Sequence, residues 1–175
     1  TRAKNTMLSI LKTKFATPKT HNVNVYLRDL NDDMIKCWQE TFHNTSTQDS
    51  STIDDETNRN SAFIKQHVFI SKGSMFPKNE ALVADCVVSP SNSFGFMEGG
   101  IEWAYRNHFG DEIMYRIQQE IQSEKHFGEL LVGKAVIIET GDPNIKYLVS
   151  APTMRTTEGV KNSLNAYFAF RAALL

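Results

Sequence analysis

Between residues 81 and 110 the chain changes character three times, and that succession limits the fold more than any other stretch. Residues 81–88 form a short apolar run, the pattern of a buried strand. Ser89, Pro90, Ser91 and Asn92 then turn small and polar, and Pro90 cannot donate to a ladder, so the strand is predicted to end there. Gly95 and the Gly99-Gly100 pair follow, allowing backbone angles that most residues resist. Ile101, Ala104, Tyr105, His108 and Phe109 fall at i, i+3, i+4, i+7 and i+8, which is one apolar helix face, and Gly110 stops the helix.

The unit is therefore strand, glycine loop, helix. The start of such a helix offers unpaired N–H groups and the positive end of a dipole, which suits phosphate. The loop is not of the Walker type, because no Gly-Lys-Ser/Thr follows it, and it is not Gly-x-Gly-x-x-Gly.

Ser-Pro-Ser-Asn at 89–92, Gly-Gly-Ile-Glu at 99–102 and the following helix closing on Phe109-Gly110 resemble the macro domain family. That family carries Val-Asn-Ala-Ala-Asn after a strand, then Gly-Gly-Gly-Val-Asp, then an alanine-rich helix ending in glycine. The resemblance spans about residues 73–152. It implies a three-layer α/β fold with a mixed, mostly parallel sheet and helices on both faces. It also implies binding of ADP-ribose or a related nucleotide diphosphate, with an ADP-ribosylated macromolecule as the natural partner and ADP-ribosyl hydrolysis as a further activity.

Carried over residue by residue, the resemblance puts Gly99, Gly100 and Ile101 against the diphosphate and Asn92 against the distal ribose. Glu102 takes the place of an Asp that orients water in the hydrolytic branches, so Glu102 and Asn92 are the candidate catalytic residues. Ser74, with Met75 beside it, stands where the family has an Asp that holds the adenine amino group. Serine still accepts a hydrogen bond but lacks the charge. Glu98 replaces the first glycine of the family's triplet and sets a negative charge beside the phosphate position.

Other readings of the same residues stay open. Asn92 can be a turn residue bonding its own backbone. Glu102 can simply complement the helix dipole. Phe94 and Phe96 either cover a ligand by stacking or anchor the loop in the core. Ser74, Glu98 and the missing second phosphate loop also fit a non-enzymatic interaction module with a degenerate site.

With 175 residues the chain can bury one proper core. A net charge of −1 does not indicate nucleic acid as a partner. Cys37 and Cys86 show no pairing pattern and read as buried thiols of a reducing, intracellular and cytoplasmic compartment. No apolar run approaches the ~18 residues of a membrane span. The five histidines, His21, His43, His67, His108 and His126, lack metal-ligand spacing, and no cofactor is expected. His108, on the apolar helix face, reads as a core residue.

The remaining elements fall on either side of the central unit. Residues 1–22 hold five basic residues and no acidic one, and Met7, Leu8, Leu11 and Phe15 can line one helix face, so the segment reads as a helix packed on the domain, a basic surface helix or a targeting segment. A single domain is expected over 23–175, interrupted by a polar loop at 43–60. Within it, strands are predicted at 23–30, 67–71, 130–138 and 147–151. Asn31 or Asp32 caps a helix carrying Met34, Ile35, Trp38 and Phe42 on its apolar face. Asp111 caps a run with Ile113, Met114, Ile117 and Ile121. A last helix is expected from Thr156 or Thr157, through Val160, Leu164, Tyr167, Phe168 and Arg171. The resemblance implies one more strand and helix beyond Leu175, the strand carrying a second glycine-rich phosphate loop. Either a fragment truncated at the C-terminus or a sheet completed in another way fits that departure.

Overall fold

The computed structural model describes residues 23–43, 66–76 and 83–175. The basic segment at 1–22 and nearly all of the polar loop at 43–60 lie outside the described residues. The chain divides into two compact units, Thr1–Met75 and Phe76–Leu175.

In the first unit, strand β1 (Val25–Asp29) pairs in parallel with β2 (Val68–Lys72), Val25 opposite Val68 and Asp29 opposite Lys72. Helix α1 (Asp32–His43) connects out of β1. Asn31 caps it, its side-chain oxygen accepting the Asp33 N–H at 2.9 Å. Phe42 is buried, with Leu27, Trp38, Val68 and Ile70 packed around it. Ile35, Trp38 and Phe42 recur at helical spacing, so one face of α1 covers the strand pair. Cys37 lies off that face and is exposed, and Cys86 in the second unit is half-buried, so neither thiol is the fully buried group expected from its apolar neighbours. Met34 is also exposed.

The second unit is built on three strands in the order β3 (Ala84–Ser89), β5 (Ile145–Ser150), β4 (Val136–Glu139). β3 and β5 are parallel; β4 and β5 are antiparallel. That antiparallel pair departs from a simple alternation of strands and helices, and the connection explains it. Only residues 140–144 separate the two strands, too few for a crossover. Asp142 closes this turn, its Oδ1 accepting the Asn144 and Ile145 N–H groups at 2.7 and 3.0 Å.

Helices α2 (Gly100–Phe109), α3 (Glu112–Gln122) and α4 (Asn165–Ala173) complete this unit. Side chains alternate across β5. On one face Val149 and Ala151 cluster with Cys86 and with Ala169 and Ala173 of α4. Leu148 and Ser150 point to the opposite face and are sealed. α3 contacts β4, and its Ile113, Ile117 and Ile121 are each 1% exposed. Their burial is worth roughly 1.5–3 kcal/mol apiece. The fold is thus α/β, in three layers, with helices on both faces of a mixed sheet.

Two boundaries and one cap differ most from the sequence pattern. The strand predicted at 130–138 begins only at Val136. Lys134 N–H turns back onto Leu131 O at 3.0 Å, and Gly133 sits at φ +92°, outside any strand. The last helix begins at Asn165, because Ser163 N–H bonds Val160 O and Ser163 Oγ accepts the Asn165 N–H, which spends the preceding residues on turns. Asp111 precedes α3 but makes no side-chain cap; its carboxylate pairs with Arg106 Nε at 2.6 Å instead.

Candidate functional site

The parallel pairing of β3 and β5 does not stop where the strands do. Ala151 N–H donates to Ser89 O at 3.0 Å and Thr153 N–H to Ser91 O at 2.9 Å. Ser93 N–H then reaches Met154 O and Arg155 O at 3.0 and 3.1 Å, while Ser93 O accepts Leu130 N–H at 2.9 Å. Ser150 Oγ meets Ser91 Oγ at 2.7 Å. The small polar residues that announce a strand end are therefore interior: Ser89, Ser91 and Ser93 are at most 1% exposed. Small side chains let the two backbones continue side by side, and the hydroxyls of Ser91 and Ser93 have partners in Ser150 Oγ and Met154 O.

Asn92 organises the next turn. Its Oδ1 accepts the N–H groups of Phe94 and Phe96 at 3.1 and 3.2 Å, and its Nδ2 donates to Phe96 O at 2.7 Å. The carboxamide thus ties down its own loop, leaving one amide N–H without a partner among the described residues. Gly95 stands at φ +70°, and a Cβ there would lie 2.7 Å from Ile117 Cγ2 and 3.1 Å from Ile121 Cδ1. This glycine is required twice, by its angle and by the close approach of α3. Met97 is fully buried. Phe94 is half-buried beneath the Arg155 guanidinium, 5.2 Å from the ring centroid, and Arg155 forks onto Glu129 at 2.7 and 3.3 Å. Phe96 is 50% exposed. The two phenylalanines flanking Gly95 consequently have different environments, Phe94 within the loop's packing and Phe96 at the surface.

At Glu98 the loop opens. Glu98, Gly99 and Gly100 are all exposed. Gly99 holds the N-cap position of α2 in extended conformation without a side-chain cap, and Gly100 sits at φ +57°. A Cβ on either glycine would meet nothing within 4 Å. Among the described residues no backbone carbonyl accepts from the N–H of Gly99, Gly100, Ile101 or Glu102; the amide of Trp103 is the first in the helix to bond, donating to Gly99 O at 3.2 Å. The main-chain donors of Gly99 to Glu102 therefore lack backbone acceptors at the positive end of a ten-residue helix, with Gly99 and Gly100 exposed.

Tyr105 fixes that helix to the sheet. It is fully buried, and its hydroxyl donates to Val88 O at 3.1 Å. Glu102 precedes Tyr105 by three positions and shares its face, which sets it over the end of β3, beside Ser89. Burial pushes the Glu102 carboxyl up to about 8, and Ser89 works against that shift. Ser89 Oγ is itself sealed from water and makes no bond of full hydrogen-bond geometry. Its effect on the carboxyl is one of proximity, with the contact left loose.

The other end of α2 has a different character. His108 stacks on Phe76 at 3.8 Å, with the planes 8° apart, and its Nε2 lies 3.3 Å from Asp142 Oδ2. It remains 35% exposed and so is not the core residue its place on the apolar face suggests; of that face only Tyr105 is buried. Ser74 and Met75 follow β2 in the first unit. Among the described residues no group of His, Cys, Asp and Glu could hold a metal ion, and no helix is long and apolar enough to cross a membrane.

The sequence pattern brought Asn92, Phe96, Gly99, Gly100, Ile101 and Glu102 together on one loop and helix start, as the structure has them. It missed Ser89 as the neighbour of Glu102. The available signal was the i, i+3 relation of Glu102 to Tyr105, once Tyr105 is known to reach the last turn of β3.

The Macro domain family model matches residues 88–174. No curated protein matches the chain. Among solved structures, the macrodomain of Mycobacterium tuberculosis DarG is 24% identical, covering 48% of this chain and 55% of that one at a TM-score of 0.36. A mutant of the Oceanobacillus iheyensis macrodomain with ADPR is 18% identical, covering 53% of this chain and 54% of that one at a TM-score of 0.42. The chain thus spans about half the length of these solved structures. The family match opens at Val88, whose carbonyl anchors Tyr105, takes in the closed turn and the open amides, and runs through α4. Over residues 88–174 this chain belongs to the macro domain family.

Proposed function

We propose that the open loop at Gly99, Gly100 and Ile101 binds the diphosphate of ADP-ribose or of a related nucleotide diphosphate, free or attached to a macromolecule. The observation that carries this reading is the row of unengaged main-chain N–H groups at the start of α2, within a macro domain match. A doubly charged linker can accept from all three, and the helix dipole adds to the attraction. Gly99 and Gly100 leave the approach clear. In this reading Asn92 shapes the ribose side through its loop, and Phe96 offers an exposed ring for stacking. The free thiols Cys37 and Cys86 go with an intracellular, cytoplasmic location.

Calorimetry with ADP-ribose tests the reading. Binding in the micromolar range that is lost in Gly99→Val is the expected result. No heat at high micromolar ligand, from a sample shown to be folded, overturns it.

Hydrolysis of an ADP-ribosyl bond is the finer proposal, and Glu102 governs it. A carboxyl that titrates at about 8 is mostly protonated at neutral pH. As a base orienting and deprotonating water it becomes available only as pH rises through about 8, so release of ADP-ribose from a modified protein rises over that range. Unchanged release by Glu102→Gln would remove Glu102 from the chemistry. The exposed carboxylate of Glu98, next to the open amides, favours a second reading: an interaction module whose ligand site has degenerated. Recovery of ADP-ribose affinity in Glu98→Gly, starting from a chain that binds none, would support that reading.

A further inference from the structure

We propose that Ser89 is a positioning residue for the site: its buried hydroxyl aims the Glu102 carboxyl at the end of β3, and the pair sets how the start of α2 receives an anionic ligand. The geometry comes from the helix. Tyr105 OH on Val88 O locks one turn of α2 to the last residues of β3. Glu102, three positions earlier on the same face, then stands over the next strand residue, Ser89. Ser89 is 0% exposed, and its Oγ is an orphan within the packed sheet. A sealed hydroxyl without a partner is costly, and the polar group beside it is the Glu102 carboxyl.

The surroundings leave this pair to itself. On α2 and just before it the ionisable neighbours are Glu98, Tyr105 and Arg106. Arg106 is held by Asp111 at 2.6 Å, and Tyr105 is committed to Val88 O. β3 brings Asp85 and Cys86 nearer its other end, and β5 brings only the neutral Ser150 opposite Ser89. Burial is accordingly the main influence on Glu102, with Ser89 opposing it. A hydroxyl that donates to the carboxylate favours its charged form, so removing that hydroxyl moves the titration to higher pH. Below the midpoint the helix start carries a neutral acid and accepts diphosphate freely; above it, an anion within the same first turn as the open amides repels the ligand. The ligand half of the proposal rests on the diphosphate reading given above.

The test uses the 175-residue protein with carbon-labelled glutamate. The Glu102 carboxyl is titrated by NMR without ligand, in the wild type and in Ser89→Ala, with Glu102→Gln identifying the resonance. ADP-ribose affinity is measured from pH 6 to 9.5 in all three. The expected midpoint is near 8 in the wild type and higher in Ser89→Ala. Affinity should fall by about tenfold above the midpoint, the scale of one repulsive charge near a surface. It should follow the shifted midpoint in Ser89→Ala and stay level in Glu102→Gln. Ser89→Cys, close in size, serves as a second variant if the alanine form does not fold, and should also shift the midpoint. A Glu102 midpoint in the ordinary carboxylate range, or one indifferent to Ser89, overturns the proposal. No ADP-ribose binding at any pH overturns the diphosphate reading and the ligand half of this one, while the carboxyl midpoint still decides the pair.

Discussion

Residues 91–97 and residues 98–101 are neighbours on one loop and opposite in their hydrogen bonding. In the first group the side chain of Asn92 ties the Phe94 and Phe96 backbones, Ser93 holds two other segments, and Gly95 is pressed against Ile117. In the second group none of the four amides has a backbone acceptor among the described residues, and the glycines look onto empty space. Both groups contain glycine, for different reasons. Gly95 is there because a helix packs where its Cβ would be; Gly99 and Gly100 have room for a side chain and lack one. Packing explains the first glycine. Gly100 is called for by its left-handed φ of +57°, and Gly99, extended and unobstructed, is left bare by neither packing nor backbone.

Substitutions at these positions can break or sharpen the contrast. The largest effect is expected from Gly95→Ala, which combines a left-handed angle with a 2.7 Å collision against Ile117. It should lower stability by about 3 kcal/mol in denaturant unfolding. A neutral result would mean that α3 shifts easily and the closed half is not rigid. Asn92→Ala should cost about 2 kcal/mol, because three bonds to the loop are lost and backbone groups are left unpaired. ADP-ribose affinity should fall with it, since the open half hangs from that turn.

Gly99→Val inverts the pattern. Its extended backbone and open surroundings predict a stability change within about 0.5 kcal/mol, but at least about a tenfold loss of ADP-ribose affinity. A valine variant that unfolds would erase the distinction between the two kinds of glycine. The last prediction concerns pH. The folded-state pKa of Glu102 is raised above the ordinary 4.5, so its contribution to stability is fully present below 4.5 and is lost as pH rises through about 8. Linkage sets the fall at up to about 1.4 kcal/mol per pH unit between those limits. Glu102→Gln should remove that slope from the unfolding free energy measured across pH 5 to 8.5.

The strand, loop and helix around the site were legible because the apolar period changes from 2 to 3.6 across a polar, glycine-bearing gap. The open amides were legible too, since two adjacent glycines before an apolar helix leave few partners nearby. The hydrogen bonding of Ser89, Ser91 and Ser93 was not. Their partners, Ala151, Thr153 and Met154, lie some sixty residues away, and no local pattern encodes that register. The antiparallel pairing of β4 with β5 follows from the link of residues 140–144 between them, which is too short for a crossover. The late start of α4 turned on Ser163, whose hydroxyl competes with helix formation at short range.

The continuation of pairing past the ends of β3 and β5 governs how a guest can arrive. Ser93 is stitched on both sides, to Met154 and Arg155 by its N–H and to Leu130 by its carbonyl. Swinging residues 91–97 aside would mean unzipping that seam, so this half acts as a fixed doorpost. For the diphosphate proposed above the way in is past residues 98–101, and amide exchange at Ser93 should be among the slowest in the second unit, although no strand is drawn there.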